Sequence, residues 1–67
     1  MQGWEMIYAS VHPHKVEIVI DILKEQEIKT VKLDKRDSSY TMIGEIEVYC
    51  MEDDAILAKI IIDQNQL

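Results

Sequence analysis

Ile46-Glu47-Val48-Tyr49-Cys50 alternates apolar and polar side chains, the period of a half-buried β-strand. What flanks it decides the fold. On its C-terminal side stand Glu52-Asp53-Asp54, three acids where the dipole of a helix start favours negative charge. A helix is expected from about Asp53 to Gln64. On its N-terminal side runs DKRDSSYTMIGE, Asp34 to Glu45. That is long for a hairpin connection, and long loops often carry function. Before the loop, Ile28-Lys29-Thr30-Val31-Lys32-Leu33 reads as another alternating strand.

Further out, Trp4 to Ser10 (WEMIYAS) is rich in aromatic and apolar residues and too short for a helix, so it is expected to be the first strand. Pro13 then suits the first turn of a helix, where its missing N–H is not needed. His12 is an unusual cap residue; Ser10 has better capping chemistry but sits two residues early. The helix is expected from about Pro13 to Gln26, with Val16, Val19 and Leu23 on one face. Ile18, Ile20 and Ile22 widen that face beyond what one sheet needs, which predicts contact with a neighbouring helix. In the last helix Ala55, Ala58 and Ile62 form a stripe, continued by Leu57 and Ile61. Ile56 and Ile60 make a further apolar row.

The order is therefore β-α-β-β-α. A right-handed crossover between strands one and two leaves room for strand three between them. The expected fold class is α+β: a sheet of order 1-3-2, strand three antiparallel to both neighbours, both helices on one face, over residues 1–67 as a single domain. This is the ferredoxin-like plan without its last strand. Strand one is left as an unpaired edge.

A chain of 67 residues is near the lower limit for an unaided core, and such domains often gain stability from a staple or a second subunit. Cys50 is the only cysteine, which excludes an internal disulfide and fits a reducing compartment. The opening MQGWE has no basic n-region, and the apolar runs fall far short of the roughly 20 residues a membrane helix needs. A cytoplasmic chain without membrane contact is expected. Thirteen acids against seven bases give a net charge of −6, which disfavours nucleic acid as a partner.

Several blocks together resemble a known family. They are Trp4 opening strand one, Val16-Glu17-Ile18-Val19 with Ile22-Leu23, Ile28, Asp37-Ser38-Ser39-Tyr40, Gly44-Glu45-Ile46-Glu47-Val48-Tyr49, and the Glu52-Asp53-Asp54-Ala55 helix start. They resemble the short bacterial domains grouped as prokaryotic signal-transducing proteins, a family of unknown function held to be ferredoxin-like and distantly PII-like. The resemblance covers nearly the whole chain and implies a regulatory role. The chain departs from it at Glu27, where the family usually has Gly and a different C-cap would follow, and at Cys50-Met51, where Val-Pro is usual.

Parallel strands one and two end on one edge of the sheet. That gathers His12, His14, the first helix's N-terminus and the loop with Lys35, Arg36, Asp37, Ser38, Ser39 and Tyr40 into a candidate site for a small anion. The same serines and acids also serve as ordinary turn formers. His12 and His14 lack a third ligand, so no metal and no cofactor is expected. Cys50, followed by acids, reads as a small core filler rather than a nucleophile. Trp4, Tyr8 and Tyr49 could line the open sheet face as an RNA-binding platform does; Glu45 and Glu47 beside Tyr49 favour packing or a subunit contact instead. Trp4, Tyr8, Ile56 and Ile60 are the candidate interface.

The expected function is a non-enzymatic regulatory or interaction domain, binding a protein partner, a second copy of itself or a small anionic ligand. An acylphosphatase-like enzyme needs an anion-cradling Arg and a water-orienting Asn, and this chain has only Arg36 and Asn65. A nucleic-acid module is the remaining alternative, set against the acidic charge.

Overall fold

A computed structural model describes residues 2–36 and 44–67. The element order is β1 (Trp4–Ser10), α1 (Pro13–Glu25), β2 (Thr30–Asp34), β3 (Ile46–Met51) and α2 (Glu52–Gln64). The sheet order is β1-β3-β2, and β3 runs antiparallel to both neighbours. The α+β class, the strand order and the central place of β3 are as expected. Ile28 differs: it lies before β2, which starts at Thr30.

β3 divides its side chains by alternation. Ile46, Val48 and Cys50 are buried in one cluster with Val16, Val19 and Leu23 of α1 and Ala55, Ala58 and Ile62 of α2. Both expected helix stripes are therefore core. Ion pairs tie each helix to an edge strand on this same side. Lys32, opposite Val48, donates to Glu17 of α1 at 2.7 Å, and Lys59 of α2 donates to Glu5, opposite Cys50, at 2.6 Å. Both helices thus cover one face, α2 against β1 and β3 and α1 reaching β2. The other face has no layer over it among the described residues.

β1 carries one extra residue. Met6 pairs with Tyr49 and Tyr8 with Val48, so Ile7 has no partner on β3. This is a β-bulge, which shifts the alternation of everything beyond it by one. Its effect is to put both Ile7 and Tyr8 on the helix side. Ile7 is buried, and Tyr8 packs against the cluster. The bulge gives the edge strand a second apolar contact with the core where a regular strand would give one.

Both helices end alike. Glu27 has φ 60. Its N–H donates to the Lys24 carbonyl and the Ile28 N–H to the Leu23 carbonyl, each at 2.9 Å. That is the paired closure of a Schellman motif, and buried Ile28 beside Leu23 supplies its usual apolar contact. The expectation of a different C-cap at Glu27 is thus corrected: the left-handed cap is kept, with a glutamate in it. At α2, Gln66 has φ 55, its N–H donates to Asp63, and Leu67 donates to Ile62 and packs on the core. At the start of α1, His12 makes no side-chain cap; Ser10 Oγ instead accepts the His12 N–H at 3.0 Å.

A left-handed residue with a Cβ costs about 1–2 kcal/mol, partly offset by the chain entropy that a glycine adds to the unfolded state. Glu27→Gly is therefore expected to stabilise the domain by roughly 0.5–1 kcal/mol, raising Tm by about 2–8 °C for a chain of this size. Thermal unfolding followed by far-UV circular dichroism checks this. The opposite is expected at Gly44, which has φ 118 and where a Cβ would stand 2.3 Å from the Lys35 carbonyl oxygen. Gly44→Ala should cost roughly 2–3 kcal/mol in the same measurement.

Candidate functional site

The loop end of the molecule is assembled as the topology requires. Ser10 and Asp34 both pair with Ile46, so the three form one rung across the sheet. The end of β1 and the end of β2 are thus two strand spacings apart, roughly 10 Å. His12 and His14 are exposed at the start of α1 on the same end. The candidate residues Asp37, Ser38, Ser39 and Tyr40 lie outside the described residues.

The two candidate cations that follow β2 are already partnered. Arg36 makes a two-pronged contact with Asp34: Nε to Oδ1 at 3.0 Å and Nη2 to Oδ2 at 2.7 Å. The backbone N–H of Arg36 also donates to Oδ1 at 3.0 Å, closing a tight local turn. Lys35 Nζ sits 3.1 Å from Glu47 Oε1. Its backbone N–H donates to the Glu45 carbonyl and extends the β2–β3 contact by one step. An anion arriving here would have to displace an intramolecular carboxylate from each cation.

These pairs move the carboxylates' titration. Arg36, through its side chain and then its backbone N–H, holds Asp34 down to about 2 from an ordinary 3.8. Glu47 is lowered by the Tyr49 hydroxyl, which donates to it at 2.8 Å, and then by Lys35. The Tyr49 hydroxyl is correspondingly raised by its bond to Glu47. Asp34 and Arg36 are substantially solvated, so their pair contributes more to local shape than to stability.

The other candidates separate by position. Cys50 is fully buried at the far end of β3 from the loop. Burial, with Asp54 and Glu5 nearby, raises its thiol pKa. This is the setting of an inert core thiol. Among the described residues there is no group of three or more His, Cys, Asp or Glu placed to hold a metal. The aromatic trio expected on the open sheet face is broken by the bulge: Trp4 and Tyr49 stay on that face, while Tyr8 turns to the helix side.

Ile56 and Ile60 are exposed on α2, at 77% and 48%, with Leu57 at 52%. Residue reasoning missed a groove of about 350 Å³ between β1 and the end of α2, lined by Ile7, Tyr8, Lys59, Ile62, Asp63, Gln66 and Leu67. Ile7 and Tyr8 reach it through the bulge and Leu67 through the second Schellman closure, and neither leaves a mark in the residue pattern. No helix among the described residues is long and apolar enough to cross a membrane. Comparison with family models, with curated proteins and with solved structures gave no match.

The Asp34 contribution to folding is present above its ordinary pKa and is lost as pH falls through about 2, because its folded pKa lies below the unfolded one. An NMR titration of the Asp34 carboxyl should show a midpoint near 2, moving back toward the ordinary carboxylate range in Arg36→Ala. A midpoint unaffected by that substitution would dissociate the pair from the shift.

Proposed function

We propose that this chain is a non-catalytic interaction domain, of ferredoxin-like plan lacking the last strand, that works by binding another protein or a second copy of itself. The observation carrying this is the apolar ridge of α2. Ile56, Leu57 and Ile60 stand in solvent on a helix whose buried side is already complete with Ala55, Ala58 and Ile62. Burying three such side chains on a partner is favourable by about 1.5–3 kcal/mol each when fully covered. A row of this kind is the usual footprint of a protein contact.

The chemistry elsewhere supports the same reading. Lys35 and Arg36 are engaged by Glu47 and Asp34, and the Cys50 thiol is buried and held protonated. The resemblance to prokaryotic signal-transducing domains fits a role exercised through contacts rather than turnover. A reducing cytoplasm suits the lone thiol.

Immobilised full-length chain offered to a bacterial lysate tests the proposal, with the double variant Ile56→Lys, Ile60→Lys alongside. The expected result is a partner retained by the wild-type chain and lost by the variant, with circular dichroism unchanged between them. Partner binding that survives the double substitution would remove α2 as the contact. Turnover of an acyl or ester phosphate, abolished by Arg36→Ala, would overturn the non-catalytic reading.

A further inference from the structure

β2 is the wrong way round for a two-layer domain. In a sheet covered on one face, the apolar residues of each strand point to the cover and the polar ones to water. In β2 the pairing puts Val31 beside Tyr49 and Leu33 beside Glu47, on the face away from the helices. Thr30, Lys32 and Asp34 take the helix side, where Lys32 reaches Glu17. β1 and β3 add Trp4, Met6, Tyr49 and Met51 to the same open face. None of these six side chains belongs to the buried cluster or packs against it. All three strands thus present apolar residues to a face on which the described chain places nothing.

We infer that this open sheet face packs against the same face of a second copy, forming a face-to-face pair of three-stranded sheets. The charge of this face is compatible with a second copy. The chain carries −6, and two identical acidic molecules repel wherever their acidic surfaces meet. Within the three strands, Glu47 is the one charged side chain on this face, and Lys35 neutralises it. The Tyr49 hydroxyl is also satisfied, by Glu47, so little polar surface is left unpaired on burial. Glu45 stands just before β3, at the rim.

The edges favour a face contact over edge pairing. The β1 edge, left unpaired by the topology, is bent by the bulge and guarded by Glu5 with its Lys59 partner. β2 is short and carries Lys32 and Asp34, each in an ion pair. Both are standard blunting devices. Stacked sheets lie about 10 Å apart with their side chains interdigitated. Three strands span only about 15 Å, so a modest, micromolar association is expected rather than an obligate dimer.

The inference rests on the interaction-domain reading but concerns the purified chain alone, so the two fail separately. Sedimentation equilibrium of the full chain should show a monomer–dimer equilibrium. Trp4, the only tryptophan, sits on the proposed contact, so its emission should shift to the blue as concentration rises. Raising salt from low ionic strength should strengthen the dimer, because it screens the like-charge repulsion between two chains of net charge −6. Leu33→Lys and, independently, Met6→Lys should each lower the association constant at least tenfold with unchanged circular dichroism. Ile56→Lys should leave it within about twofold. A monomer at all accessible concentrations, a dimer that salt dissociates, or one lost in Ile56→Lys and kept in both sheet-face variants would overturn the inference. None of those results bears on whether a different protein is captured through α2.

Discussion

The contact of Ile46, Val48 and Cys50 with both helices is the one on which the rest of this structure depends. Among the described residues β3 is the only strand with neighbours on both sides, and its buried residues meet the stripes of α1 and α2 together. With so short a chain, nearly all the apolar burial that opposes chain entropy lies in this one cluster. Small volume changes there are felt directly: truncating Leu23 or Val48, both fully buried, removes roughly 2–4 kcal/mol from a domain that has only a few times that to lose.

Everything at the margins of that cluster serves to extend it. The bulge at Ile7 turns two consecutive residues of β1 inward. The left-handed residues Glu27 and Gln66 fold the chain back so that Ile28 and Leu67 land on the core. The two left-handed caps accept local backbone strain in return for apolar contact that a regular helix end would forgo. That the strained positions hold Glu and Gln rather than Gly leaves room for stabilising substitution without altering the fold.

The surface follows a second logic. Lys32, Lys35, Arg36 and Lys59 each pair with an acid of the same chain. The remaining acids give the molecule its negative field. Two regions of the surface stand apart from these charges as apolar patches: the ridge of α2 and the open sheet face. Both are apolar, and they lie on opposite sides of the sheet, so contact at one leaves the other free. On the proposed reading, one side pairs with a second copy and the other presents a helix to a partner.

The residue pattern determined the element order, the central place of β3 and the two core stripes of the helices. These follow from periodicities of 3.6 and 2 and from the connection rules, all legible in one dimension. It also placed His12, His14, Lys35 and Arg36 at one end. It did not reveal that Asp34 and Glu47 hold the two cations, because an ion pair depends on cross-strand register and side-chain reach. Alternation shows that β2 has two unlike faces without saying which faces the helices. One extra residue in β1 is enough to exchange the faces beyond it. Tertiary structure alone decided that Tyr8 turns to the core and that Val31 and Leu33 turn away from it. The sign of an alternating pattern is set by which neighbour's core-facing residue sits opposite, and that is a property of the assembled sheet.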